Sequence, residues 1–485
     1  MSTSSERIVG PDGLRSARIR ILHNSAATRR LEANASSLLP PHTLMERAGL
    51  EVAHLLLAMA PHARTVWIPC GPGNNGGDGL VAARHLQAWG KTPIVTLLQE
   101  RAAQPVDAMV AMEKAKIAGI HFQNEIPESY DACIDAIFGI GSSRPIRGQS
   151  ATWVQHINQS EVPVVSVDVP SGLHADSGVA ATTHVLASAT LSLLTLKTGL
   201  FTADGRDASG EIWFNSLGVE VSADACAQIN VAPSQSKRPH NSHKGSFGDV
   251  TVIGGAPGMT GAALLAGGAA LRGGAGRVFI VLLDQEALHL DPTQPDLMVR
   301  NFTEVDLRLH TVVAGCGGGE AIGVRLDTIL QSAQKLVLDA DALNAIAASP
   351  SLQAAVQSRP HDSTVMTPHP LEAARILGCS TAEIQSHRLE SAQSLADKFR
   401  CTVVLKGSGT IIVNDEHTPR INASGNARLA TAGTGDVLAG LIGARLANGD
   451  SAFDAACSAV FHHGEMADQW QTATTLTAHR LMESL

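Results

Sequence analysis

Twice along this chain a β-branched run breaks into glycines, resumes as a helical run rich in small residues, and returns to another β-branched run. In the first half, the strand "TVWIPC" (65–70) leads into the loop "GPGNNGGDG", then the helical run "LVAARHLQAW", closed by Gly90, and then the strand "TPIVTLL". In the second, "GDVTVIGG" runs through a Gly-rich turn into "TGAALLAGGAAL" and on to "GRVFIVLL". Each is the pattern of a βαβ unit, because parallel neighbours need a crossover and the crossover is usually a helix. Further strands are legible at "YDACIDAIF", "VPVVSVDV" and "ATLSLLTL" in the first half, and at "HTVVAGC", "KLVLDA", "STVMTP" and "CTVVLKG" in the second. Two doubly wound α/β domains are the predicted fold. Their motifs do not recur in the same order, so the halves are not an internal repeat.

A chain of 485 residues exceeds one ordinary core. Periodicity fades between about 221 and 241, which gives domains at 1–225 and 242–485 joined by a linker at 226–241. Before the first strand, "PHTLMERAGLEVAHLLLAMA" places Leu44, Ala48, Val52, Leu55 and Met59 on one helical face. Later, Gly378 stops one helix, and Ser380 with Glu383 forms a capping box for the next.

Composition excludes some partners. A net charge of −9, no long basic run and a single Tyr argue against nucleic acid. Seven scattered cysteines without C-x-x-C spacing read as reduced thiols in a cytoplasmic protein. The N-terminus lacks the apolar core of a signal peptide, and the most apolar stretch, Gly261 to Leu283, is broken by Arg272 and Arg277. No membrane association is expected; a homo-oligomer is.

Polar groups cluster where first-half strands end. Asn74, Asn75 and Asp78 follow "TVWIPC", Asp135 precedes a Gly-rich loop with Arg144 and Pro145, and Asp168 and Ser171 follow "VPVVSV". Ligands bind outside the carboxyl ends of strands in open parallel sheets, so these groups can converge on one pocket. The simpler reading of the first cluster is an Asx-rich turn capping a helix. Taken in order, "LMERAG", "GPGNNGGDGLVAARHL", "DAIFGIG…RP", "VDVPSG" and "LKTGL" resemble the NAD(P)H-hydrate epimerase domain over nearly all of 1–220. The resemblance implies a Rossmann-like three-layer α/β domain. It also implies a pocket for hydrated NADH or NADPH lined by Asn74, Asn75, Gly76, Gly77, Asp78, Gly139, Ile140, Gly141, Ser142, Ser143, Arg144 and Pro145. It further implies a potassium ion held by Asn75, Asp135 and Ser171, all oxygen donors as a hard cation requires. Asp168 is the expected acid/base group. Lys197 is either an electrostatic partner of that site or a surface cation.

The second half carries "TAGTGDVLAG", which puts Asp436 at the start of a helical stripe of Val437, Leu438, Leu441, Ile442 and Leu446 that ends at Asn448–Gly449. A carboxylate there can simply favour the helix dipole. It can equally be a base beside an anion hole, with the amides of 432–435 holding a transferring phosphoryl group. "AGTGD" resembles the catalytic motif of ribokinase-like enzymes. "HKGSFGDVTVIGGAPGMTGAALLAGGAALRGGAGRV", "LVLDADALN", "VMTPHPLEAARIL" and "VVLKGSGTIIV" narrow the resemblance to the ADP- or ATP-dependent NAD(P)H-hydrate dehydratases over about 240–470. By that resemblance Lys406, Gly407, Ser408, Gly409, Thr410 and Gly435 hold the nucleotide. Ala262, Gly317 and His369 face the hydrated nicotinamide, and Asp436 deprotonates its ring hydroxyl.

ADP is the implied co-substrate, accompanied by Mg2+, for which Asp339 and Asp341 are candidate ligands. Without the resemblance, His369 reads as an ordinary loop histidine and the pair His462–His463 as packing or capping a helix. Met259, Cys316, Leu371 and "NARLA" depart from the family pattern around the substrate. The alternative reading is a ribokinase-like small-molecule kinase with an appended, non-catalytic nucleotide-binding domain.

Overall fold

Glycine spacing, more than helix propensity, decides how the first half folds. The structure, a computed structural model, describes residues 5–8, 20–98, 104–141, 145–221, 224–233, 239–287, 289–471 and 473–485. It divides into two compact units, one ending at Gln228 and the other running from Ile229 to Leu485. The linker expectation needs a correction, because Ala227–Ile229 form a strand that pairs antiparallel with Ile21–Leu22. Three residues are too few for an alternation to show in the sequence, yet Ala227 and Ile229 are both buried.

The first unit is built on an eight-stranded sheet. Its order is Glu6–Arg7, Glu211–Asn215, Ala189–Leu193, Val164–Val167, Ala132–Asp135, Thr65–Cys70, Thr92–Leu97 and His121–Gln123. Every pairing is parallel except that of Glu6–Arg7. Strand order reverses between Thr65–Cys70 and Ala132–Asp135, the switch point where an open sheet leaves a crevice. The helix Thr43–Met59 buries Ala48, Val52 and Leu55 as its periodicity predicts, with Leu44 and Met59 half-buried against the same core.

"NNGGDG" is not loop. The helix runs Asn74–Ala88, so those six residues form its first turns. Glycine propensity opposes this by about 1 kcal/mol per residue, and close packing overrides it. A Cβ at Gly76 would lie 2.0 Å from the Gly71 carbonyl oxygen, and one at Gly79 would lie 2.6 Å from the Ala136 Cβ. Only bare backbone lets the helix start this near the strand ends.

In the second unit the sheet runs Met298–Val299, Arg277–Leu282, Asp249–Gly254, Thr311–Ala314, Lys335–Leu338, Thr364–Met366, Thr402–Leu405, Ile411–Val413 and Arg420–Ile421. Pairing is parallel as far as Thr402–Leu405 and antiparallel beyond. The helices Thr260–Arg272 and Thr434–Ala447 pack backbone to backbone, since a Cβ at Gly440 would meet the Ala266 carbonyl oxygen at 1.9 Å. Gly378 adopts the left-handed conformation that ends Pro370–Leu377, and Ser380 and Glu383 complete the expected capping box. No helix among the described residues is long and apolar enough to cross a membrane.

Candidate active sites

At the switch point of the first unit lies a cavity of about 600 Å³. Asn74, Asn75, Asp78, Gly139, Ile140, Gly141 and Asp168 line it. Gly76, Gly77 and Pro145 do not. Gly76 faces Gly71, a Cβ at Gly77 would press on Met45, and Pro145 is exposed. Ser142, Ser143 and Arg144 lie outside the described residues.

Asp168 has φ +67°, a left-handed conformation that costs a non-glycine residue and is held here by its surroundings. Its N–H donates to the Leu191 carbonyl (2.9 Å), and its Oδ1 accepts the Leu193 N–H (3.1 Å). Lys197 settles which of its two readings applies: it is fully buried and ion-paired with Asp168. Its ammonium also donates to the carbonyls of Leu193 (2.6 Å) and Thr195 (3.0 Å), so all three donors are engaged.

Sequence reasoning missed Thr28, Arg29, Glu32 and Asp107, which also line the cavity. Glu32 sits in an alanine- and serine-rich helix (Ser25–Leu38) that reads as ordinary surface. Burial, reinforced by Asp168, raises the Glu32 carboxyl above its usual range. Burial pushes Asp78 well above, with Asp168 and Glu32 adding to it. Asp107 meets His42 Nδ1 at 2.6 Å.

Asp135 and Ser171 lie buried outside the cavity lining. Asp135 Oδ1 accepts the Ser171 hydroxyl (2.6 Å), and Oδ2 accepts the Ser166 hydroxyl (2.8 Å) and the Ser171 N–H (2.9 Å). Burial still raises its pKa against those donors. Asn75 stands beside Gly139, whose Cβ would lie 3.0 Å from its Oδ1, and its buried Nδ2 has no partner among the described residues. Amide oxygen and nitrogen exchange on a flip, so Asn75 can turn an unsatisfied oxygen toward that spot.

The second site forms where the loops after five parallel strands meet the start of Thr434–Ala447. Gly433, at φ +90°, supplies the left-handed turn before the helix. The Thr434 hydroxyl ties the turn to the carbonyls of Leu429 (2.8 Å) and Thr431 (2.9 Å). The Thr434 N–H is directed at the Thr431 carbonyl (3.4 Å), so the run 432–435 does not present all of its amides to a ligand. His463 is buried, as a packing histidine should be, and its Nε2 donates to the Thr434 carbonyl (2.9 Å). Burial pulls its pKa down to about 4, which keeps it neutral.

Asp436, Asp339 and Cys316 bring a carboxylate oxygen each and a thiol within 4.8 Å of one another. Burial, and then the Asp339 charge, raises Asp436 to about 7, the range a general base needs at neutral pH. Asp339 Oδ1 accepts the Lys406 ammonium (2.6 Å) and the Thr367 hydroxyl (2.8 Å). Burial alone would lower the Lys406 pKa, but Asp339 and Glu372 together outweigh it and hold the ammonium charged. A Cβ at Gly435 would lie 3.4 Å from that ammonium, so Lys406 and Gly435 share one spot. Asp341 instead braces a turn, accepting the Gly319 N–H (2.8 Å).

Ala262 and Gly317 also meet, since a Cβ on Gly317 would lie 2.8 Å from the Ala262 Cβ. Gly407 and Ser408 are exposed at the tip of their loop, whereas Gly409 is buried. His369 caps the helix Pro370–Leu377, its Nδ1 accepting the N–H groups of Leu371 and Glu372 (both 3.2 Å) while its Nε2 lies 3.1 Å from Glu372 Oε1. Both ring nitrogens are therefore engaged, and the ring edge and face are what it can offer a ligand. Thr367, Glu372 and the buried Arg388 went unnoticed in the sequence. Nothing there separates Thr367 from any strand-end threonine.

Residues 250–485 match the family described as NAD(P)H-hydrate dehydratase, and residues 41–199 match the one described as YjeF-related protein N-terminus. The chain is 37% identical over 461 residues to the bifunctional NAD(P)H-hydrate repair enzyme Nnr of Escherichia coli, covering 91% of this chain and 88% of that protein. Its counterpart in Coxiella burnetii is 34% identical, with 93% and 94% covered. Among solved structures, an ADP/ATP-dependent NAD(P)H-hydrate dehydratase from Bacillus subtilis, co-crystallised with ATP and Mg2+, is 30% identical. It covers 51% of this chain and 90% of that one, with a TM-score of 0.43.

Proposed function

From the premise that the chain belongs to the family of bifunctional NAD(P)H-hydrate repair enzymes, we propose how its two sites divide the work and which residues carry it. The first unit is the epimerase, which interconverts the R and S hydrates of NADH and NADPH. The second is the nucleotide-dependent dehydratase, which returns the S hydrate to NAD(P)H with ADP as the phosphoryl donor.

In the dehydratase, Asp436 takes the proton of the ring hydroxyl as that oxygen attacks the β-phosphoryl group of ADP, releasing AMP. Elimination then breaks the ring carbon–oxygen bond; phosphate leaves, a proton leaves the adjacent carbon, and the double bond of the reduced ring is restored. Lys406 and the helix start at Gly435 stabilise the transferring charge. The observation that carries this reading is Asp436 itself, raised to about 7 at a helix N-terminus beside a charged lysine. Mg2+ would offset nucleotide charge when bound; Asp339, ion-paired with Lys406, is the carboxylate placed to share it.

In the epimerase, Asp168 moves a proton at the hydrated carbon while Lys197 holds its carboxylate in place. K+ fits the all-oxygen set of Asn75, Asp135 and Ser171, and the Asn75 amide nitrogen, buried with no partner among the described residues, is the observation in its favour. A cytoplasmic location agrees with cysteines that stand as thiols rather than disulfides. The deciding experiment mixes hydrated NADH with ADP and follows reduced-nicotinamide absorbance: a rise that Asp436→Ala abolishes is expected. With Asp436→Ala, loss of R excess faster than in buffer then reports the epimerase. Absence of both changes refutes the reading.

A further inference from the structure

Arg388 is buried, 2% exposed, at the first position of the helix Arg388–Phe399. A cation there suffers twice, from desolvation and from the positive end of the helix dipole. Its acceptors include the Gln385 side-chain oxygen (2.6 Å) and the carbonyls of Leu405 (3.4 Å), Lys406 (3.3 Å) and Gly409 (3.4 Å). Three of these four belong to one stretch, the end of the strand Thr402–Leu405 and the loop that follows it. Gly407, at φ +132°, lies directly on the guanidinium, where a Cβ would meet Nη1 at 2.9 Å. Gly407 and Ser408 themselves are exposed on the opposite face.

These contacts do two things. Carbonyls drawn toward the core fix the peptide planes of the loop, which sets the direction of its N–H groups. The carbonyls are also neutral acceptors, so they disperse the guanidinium charge without cancelling it. We propose that Arg388 is the positioning residue of the nucleotide loop, holding Lys406–Gly409 in its binding shape and placing a positive charge beneath the face where the phosphate of an adenine nucleotide lies. This rests on the reading of 406–410 as the nucleotide loop. A lysine cannot replace it fully, because a single ammonium cannot span the fork of acceptors.

The test measures steady-state constants of the full chain for ADP and for the S hydrate, with adenosine as a competitive probe of ADP. Arg388→Met should raise KM for ADP about tenfold or more, the scale of a lost charge-assisted hydrogen bond, and leave KM for the hydrate within about twofold. Its affinity for adenosine should fall less than that for ADP, because adenosine carries no phosphate. Where Arg388→Met does not fold, Arg388→Lys serves; it should raise both constants, KM for ADP and Ki for adenosine, by a similar factor because the charge remains. A purely structural role would move the hydrate and ADP constants together, and that result overturns the proposal. Ser408→Trp, which crowds the loop tip, tests the underlying reading separately. If ADP affinity survives in Ser408→Trp, the loop does not hold the nucleotide; if it is lost there and kept in Arg388→Met, only the role of Arg388 fails.

Discussion

Replacing Asp339 by Asn should move the acid limb of the dehydratase pH profile downward. Asp436 stands at about 7, against an ordinary 3.8, because burial disfavours its charged form and Asp339 adds a like charge. The ligating atoms of the two residues are within 4.8 Å. At such a separation, and at an effective dielectric of roughly 20, two unit charges repel by about 3 kcal/mol. Lys406 shares Asp339 and offsets part of this, so the remaining repulsion is worth about 1.4–2.8 kcal/mol, or roughly one to two pH units. The substitution also frees the Lys406 ammonium to stabilise Asp436, which pushes in the same direction. The assay is kcat/KM for the S hydrate at saturating ADP, followed by absorbance from about pH 5 to about pH 9, because that ratio reports ionisations of the ADP-bound enzyme before the hydrate binds. The wild-type limb is expected near 7 and the Asp339→Asn limb near 5 to 6, even where the overall rate has fallen. A limb that stays within about 0.3 unit of wild type would refute the electrostatic argument.

Three further outcomes follow from the same geometry. Because the folded-state pKa of Asp436 is raised, the folded protein holds that proton more tightly than the unfolded chain, and stability declines as pH rises from about 4 to about 7. Asp436→Asn should thus be inactive yet gain melting temperature at about pH 8 and gain little at about pH 4; a loss at both values would contradict this. Gly76→Ala drives a methyl group against the Gly71 carbonyl oxygen and should destabilise the first unit by about 1–3 kcal/mol or more in urea titration. Epimerase activity is expected to fall while ADP-dependent dehydration of the S hydrate persists, and equal loss of both would count against separate sites. Lys197→Met leaves Asp168 without its buried partner, so R–S interconversion should drop by at least about tenfold. Unchanged interconversion would remove Lys197 from the site.

The βαβ grammar was legible because periodicity and glycine placement are local. "TVWIPC" and the helix Thr434–Ala447, with its stop at Asn448, lie where the residues put them. The motifs carried the family as well, since their order along the chain is a sequence property. Propensity misjudged "NNGGDG" because the forces that make it helical come from the strand ends it packs against. Burial was equally invisible. Lys197 could be a surface cation until the fold enclosed it with Asp168. The motif placed Asp436 at a helix start, but its proton affinity is set by the desolvation around it and then by Asp339, nearly a hundred residues away in sequence. Sequence alone determines which segments become strands and helices and which chemistry they carry. Charge state and mutual reach belong to the tertiary structure, because desolvation and Coulomb interactions depend on distances that only folding creates.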